Sequence, residues 1–467
     1  MIDPARSHAR PLVAVLDIGK TNAKLVVADP ATGEELWQET RPNRPLAGAP
    51  YLAIDAAAIE AFLLGALSNA PERERIGTIV PVAHGACGVL VDEAGLVLPV
   101  MDYEDAVLEE VADEYRAERD AFAVTGSPFL PLGLNLGRQI HFLERRFPAA
   151  FARARHLMMW PQYLSWRLTG VAAGEVTSLG CHTDLWEPAT GRFSPLALRR
   201  GWDRLVPPLK AAGDVVGRIA PGVAAATGLH PETAVLAGIH DSNASFLRHR
   251  LARPKDEPFV VISSGTWAVL LASGVPVAGL SEDRDCLVNV DALGAPTPTA
   301  RFMGGREFAA IAGDAPAPAG PGDLERVLAA GAVAWPSFVP AGGPFPGRQG
   351  FVENGEALDA AGRSALAALY IALMADTSLD LLGARGTVVI EGPFADNALI
   401  GPLLAGLHPG RSVALSRDRA GTVGGALALA SGGRAPEPRL RAVEPISDPR
   451  LTALRSRWRT GPRVAVG

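Results

Sequence analysis

The chain has four lysines, Lys20, Lys24, Lys210 and Lys255, and two of them lie beside one glycine. The stretch 13–29 reads VAVLDIGKTNAKLVVAD. Gly19 permits backbone conformations closed to other residues. Lys20 and Lys24 offer positive charge, and Thr21 and Asn22 offer side-chain donors. Successive N–H groups in such a turn make a nest for an anion. Asp17, at the end of the first apolar run, suits an outer-shell anchor for Mg²⁺. These parts suit the phosphate tail of a magnesium nucleotide; an ordinary edge hairpin with solvated lysines would use the same residues.

A second constellation is His240-Asp241-Ser242-Asn243, just past the apolar run TAVLAGI. Ligands of open α/β sheets sit at such strand ends. Asp241 there either accepts a proton from a substrate hydroxyl aligned with a γ-phosphate or caps the next helix. Two further polar groups, His84-Gly85 and Asp102-Tyr103-Glu104-Asp105, follow apolar runs and could bind sugar hydroxyls; solvated loops have the same composition. FVVISSGTWAVLLAS (259–273) repeats the layout of the first stretch, with Gly265 in the place of Gly19 and Thr266 in the place of Lys20. Gly392 and Gly425 each open a helix, where a missing side chain would let an adenine ring lie near the backbone; plain turn duty is the alternative for each.

These residues need elements to hold them. Apolar runs on both sides of Gly19, and again of Gly265, predict two β-hairpins, and a repeated unit predicts two similar halves. A helix is expected at 56–67, a strand at 78–83, and a hairpin from 89–92 and 96–101. A helical region at 138–167 contains Trp160, Tyr163 and Trp166, whose helical spacing favours a core role. A strand at 233–239 precedes Asp241, and the Arg/Pro-rich segment 247–258 reads as the connection between halves. A long helix is expected at 364–382, a strand at 387–390, and a loosely held tail after Ser431. Alternating strands and helices make the fold α/β.

At 467 residues the chain exceeds one ordinary core. A net charge of −6 without a basic run argues against nucleic acid. Cys87, Cys181 and Cys286 show neither disulfide nor metal-ligand spacing, which fits a reducing cytoplasm. The first eleven residues have no apolar run and do not read as a signal peptide. The apolar segment 258–280 is interrupted at Ser263-Ser264-Gly265-Thr266, so no membrane span is expected there.

In this order the motifs resemble those of the FGGY carbohydrate kinases, of the actin/hexokinase/Hsp70 superfamily. DIGKTNAK (17–24) is similar to the family's first phosphate motif, WPQYLSWRLTG (160–170) to its helix ending Leu-Thr-Gly, and AGIHDSNAS (237–245) to the motif of the catalytic aspartate. ISSGTW (262–267) is similar to the second phosphate motif, and EGPFADN (391–397) with AGTVGGALALA (420–430) to the adenosine side. His240-Asp241 together with 263–267 is closest to the rhamnulokinase and fuculokinase branch. The resemblance implies two similar actin/hexokinase-like (ribonuclease H-like) domains around a central cleft. They are drawn at 1–246 for sugar and 247–435 for nucleotide, with a tail at 436–467. It implies ATP and Mg²⁺ as cofactors and a hydroxyl of a small ketose of the L-rhamnulose or L-fuculose type as acceptor. Asp241 would be the proton acceptor, with His240 and Ser242 beside the sugar together with His84, Gly85, Asp102 and Glu104. Gly19, Lys20, Thr21, Asn22, Lys24, Gly265, Thr266, Gly392 and Gly425 would face ATP, with Asp17 toward the metal. Lys20 stands where many members carry a small or hydroxyl residue, so its phosphate contact rests on charge alone. A pentulose or polyol acceptor, and an ATPase or sugar sensor that phosphorylates nothing, are the competing readings. A homodimer is compatible with the chain.

Overall fold

The computed structural model describes residues 10–461 except 49, 314, 341, 409, 419, 420 and 435. The chain forms two compact units. Unit 1 comprises residues 1–252, 288–296 and 422–437; unit 2 comprises 253–287, 297–421 and 438–467. These bounds differ from the sequence-drawn domains, because a late segment rejoins unit 1. Most of the N-terminal stretch read for a signal peptide lies outside the described residues.

Unit 1 is built on β1 (Leu12–Ile18), β2 (Asn22–Asp29), β3 (Glu34–Pro42), β4 (Ile76–Ala83), β5 (Ala234–Leu236) and β6 (Ile239–His240). β1 and β2 form the expected antiparallel hairpin, with Ile18 opposite Ala23 and Asp17 opposite Lys24. β1 runs parallel to β4, and β4 parallel to β5 and β6, with Ala83 opposite His240. This pairing brings the ends of β1, β4 and β6 to one edge. Helix α1 (Ala56–Asn69) begins where Asp55 accepts from the Ala58 N–H at 2.9 Å. The expected helical region 138–167 is broken. A strand, His156–Met159, intervenes, and a new helix, α2 (Trp160–Thr169), starts with Pro161 in its first turn. Trp160 and Tyr163 are buried in the core beneath the sheet. The strand 88–92 pairs mainly with 156–159 and only briefly with 95–96, so the expected hairpin is secondary. Helix α3 (Asp241–Leu251) runs through the first part of the expected connection, where Leu247, Arg248 and His249 are buried.

Unit 2 repeats the plan. β7 (Phe259–Ser264) and β8 (Ala268–Ser273) form an antiparallel hairpin, and β8 pairs antiparallel with β9 (Pro296–Phe302). β7 runs parallel to β10 (Thr387–Glu391), and β10 parallel to β11 (Val413–Ser416). Helix α4 (Gly304–Ala312) follows β9. Helix α5 (Ala360–Leu381) is long and apolar enough for a membrane span, yet its apolar window is 89% buried inside the protein. Helix α6 (Gly421–Ala430) packs with unit 1 over almost its whole length. The described part of the tail is not loose: helix α7 (Pro449–Thr460) buries Leu451 and Trp458 in the unit 2 core, where Trp458 stacks on Trp335.

Candidate active site

Parallel pairing of β4 with β6 sets His84-Gly85 beside His240-Asp241. A Cβ on Gly85 would come within 2.9 Å of His240 Nε2, so glycine there is a packing requirement. The loop before His240 is pinned from below: Gln162 Nε2 donates to the Ala237 carbonyl at 3.0 Å and Ser165 Oγ to that of Leu236 at 2.8 Å. Laterally, Thr177 Oγ1 donates to Glu175 Oε2 at 2.6 Å and accepts from the His240 N–H at 3.0 Å.

Asp241 is the first residue of α3, with His240 at the N-cap. Its Oδ1 accepts from the Ser242 N–H at 2.6 Å and from Ser242 Oγ at 3.2 Å, and lies 3.3 Å from His240 Nε2. The helix N-terminus favours negative charge at this position. His240 Nε2 also lies 3.7 Å from Cys181 Sγ. Burial opposes charge on His240, but Cys181, Asp241 and Glu175 outweigh it and lift its pKa to about 9. Burial lifts Glu175 to about 7. His84 is held neutral by burial, while it feels the charges of Asp241, Lys20 and Asp102.

The hairpin end supplies the other half of the cluster. Gly19 donates to the Asn22 carbonyl at 2.9 Å, and Asn43 Nδ2 donates back to the Gly19 carbonyl at 2.9 Å. Gly19 does not use a positive φ, contrary to the conformational argument made from sequence; a Cβ there would make only an ordinary 3.5 Å contact with Asn22 O. Asp17 Oδ2 accepts from Thr422 Oγ1 at 2.9 Å and lies 3.5 Å from Lys24 Nζ. Burial raises the Asp17 pKa against the pull of Lys24 and Thr422, and Asp17 and Asp241 feel each other's charge. Asp17, Lys24 and Asp241 thus belong to one electrostatic cluster. Lys20 points elsewhere: its Nζ bonds Asp102 Oδ1, lies 3.7 Å from Glu104 Oε2, and sits 4.6 Å over the Tyr103 ring.

In unit 2, Gly265 donates to the Trp267 carbonyl at 2.8 Å, and a Cβ on Gly265 would meet nothing within 4 Å. Gly305, at the start of α4, donates to the Thr266 carbonyl at 3.2 Å and must be glycine, because a Cβ would lie 2.4 Å from the Gly265 carbonyl oxygen. Gly392, at φ +75°, is forced by the Ser264 carbonyl 2.1 Å from its would-be Cβ. Gly425 packs in unit 1 against the Ala244 carbonyl, 1.9 Å from its would-be Cβ. Chain packing therefore accounts for Gly392 and Gly425 without an adenine ring. Among the described residues no group of three His, Cys, Asp or Glu could cage a metal. A lone carboxylate such as Asp17 fits an ion that arrives on phosphates and keeps its waters.

Sequence reasoning missed Asn43, Glu175, Thr177, Cys181 and Thr422. Thr422 had a signal, since it lies in the glycine-rich run 421–425. The others act through folding partners distant in sequence and left none.

Residues 83–247 match the N-terminal domain of the FGGY family of carbohydrate kinases, and residues 256–438 match the carbohydrate kinase FGGY C-terminal domain. A solved carbohydrate kinase from Novosphingobium aromaticivorans is 39% identical, with 97% of this chain and 98% of that one covered at a TM-score of 0.85. L-fuculokinase of Escherichia coli (strain K12) is 25% identical over 285 residues, 57% of each chain. Rhamnulokinase of Halalkalibacterium halodurans is 25% identical over 177 residues, 36% of this chain and 34% of that one. The match thus spans little more than half the length of the curated fuculokinase.

Proposed function

Since the chain belongs to the FGGY family of carbohydrate kinases, we propose that it transfers the γ-phosphoryl group of ATP to a hydroxyl of a ketose. The acceptor is of the L-fuculose or L-rhamnulose type, in line with the relatives named above. The observation that carries this reading is the single cluster of Asp17, Lys24, His84, His240 and Asp241 at one sheet edge of unit 1.

Asp241 accepts the hydrogen bond of the reacting hydroxyl and takes its proton as the new P–O bond forms. His240 and Ser242 hold that carboxylate in place, and buried neutral His84 offers the sugar a hydrogen-bonding ring. The Gly19 and Gly265 turns each bind phosphate through backbone N–H groups, with Lys24 and the Thr266 hydroxyl adding charge and a donor. Asp17 is the residue that would hold a hydrated Mg²⁺ arriving with ATP. That ion, when bound with ATP, neutralises charge developing on the phosphate oxygens. Three buried, free cysteines fit a cytoplasmic setting.

The test is release of ADP by the purified protein across a panel of 6-deoxyketohexoses, pentuloses and polyols. Turnover that depends on a 6-deoxyketohexose supports the reading. Preference for ribulose, xylulose or glycerol moves the substrate class, and ATP hydrolysis indifferent to every acceptor replaces the kinase with an ATPase.

A further inference from the structure

We infer that Lys20, which sequence alone assigns to the phosphates, is an acceptor-side positioning residue: it clamps the loop 102–105 beside His84. This rests on the kinase reading given above. Lys20 leaves the phosphate turn at the position after Gly19, but its ammonium is engaged elsewhere. It bonds the Asp102 carboxylate, lies 3.7 Å from that of Glu104, and rests over the Tyr103 ring. Asp102 is nearly inaccessible, at 2% exposure, and Lys20 is at 14%. A buried carboxylate requires compensation, and Lys20 supplies it together with the Glu104 N–H, which donates to Asp102 Oδ1 at 2.9 Å.

The pair therefore ties the end of the β1–β2 hairpin to the acceptor loop across 82 positions of sequence. The Tyr103 ring packs edge-on against His84, 6.1 Å between centroids, so the clamp extends to the histidine beside Asp241. Holding Asp102 in one orientation fixes the loop 102–105 beside His84 before an acceptor arrives, so no ordering of that loop is charged to binding.

The test separates the two sides of the reaction. In Lys20→Met, and in Lys20→Gln should Met fold poorly, KM for the best neutral acceptor should rise about tenfold or more. KM and calorimetric Kd for ATP should stay within about twofold, since a lost phosphate contact would cost more. Adding Asp102→Asn to Lys20→Met should raise acceptor KM by less than the product of the two single effects, because the partners share one interaction. A weakened ATP Kd with unchanged acceptor KM, or no change in either, would each overturn the inference. Should the wild type turn over no acceptor, the kinase reading fails by itself. Calorimetry on Lys20→Met then still decides: unchanged nucleotide affinity keeps Lys20 off the phosphates, and weakened affinity overturns the inference.

Discussion

The hairpin of unit 1 and the hairpin of unit 2 share a scaffold and differ in chemistry. Each is an antiparallel pair whose first strand runs parallel to a later one, β1 beside β4 and β7 beside β10. Each turns at a glycine that neither backbone angle nor packing demands, Gly19 and Gly265. Around Gly19 stand Asp17, Lys20 and Lys24; around Gly265 stand Ser263, Ser264 and Thr266. Ionic groups thus gather at one turn and neutral donors at the other. The glycines teach a second contrast. At Gly392 and Gly425 a side chain would strike the chain's own backbone, whereas at Gly19 and Gly265 the space left open suits a close-approaching ligand.

The largest effect should come from the charged unit. Asp241→Asn should lower kcat by about a thousandfold or more, within the range for a removed general base, and leave the calorimetric affinity for ATP unchanged. An equal loss of nucleotide affinity would mean that Asp241 serves the phosphates, and would erase the division between the two turns.

Next is a pH effect confined to unit 1. Burial raises Glu175 from 4.5 to about 7, so its neutral form is favoured in the folded protein. Its stabilisation is complete below the unfolded value and is lost as pH rises through about 7. The stability of the wild type relative to Glu175→Gln should fall across that window, by up to about 3 kcal/mol. Thermal unfolding at several pH values measures it, and a pH-independent difference would show that Glu175 does not titrate there.

The two kinds of glycine should separate cleanly. Gly425→Ala and Gly392→Ala force a methyl into a carbonyl and should cost about 1–3 kcal/mol of stability, seen as a lower Tm. Gly19→Ala and Gly265→Ala should leave Tm nearly unchanged while weakening nucleotide binding. A large Tm loss in the second pair would return these glycines to ordinary turn duty. The smallest effect is expected for Thr266→Ala, several-fold in ATP affinity, equivalent to one hydrogen bond of about 1 kcal/mol; unchanged affinity would remove Thr266 from the site.

Sequence periodicity made both hairpins, the α/β class and the internal repeat legible, because strand alternation and turn chemistry are local. Asp241 was legible because a polar cluster follows a buried strand. The partner of Lys20 was not: a lysine beside a glycine reads as a phosphate ligand until the loop at 102 folds back onto it. The packing reason for Gly425 was not legible either, since Ala244 meets it only through packing of α6 on α3. Pro148 and Pro161 could have divided the region 138–167, as proline starts helices more readily than it continues them. The order of the tail rests on Trp458, whose burial depends on Trp335 and Tyr370 far upstream.

The most direct test of the central claim is phosphorus NMR of ATP incubated with a 6-deoxyketohexose and either the wild type or Asp241→Asn. The wild type should form a sugar phosphate monoester at the rate of ADP release, and the variant almost none. Inorganic phosphate in place of the ester, or an ester formed equally fast by both proteins, would contradict that claim.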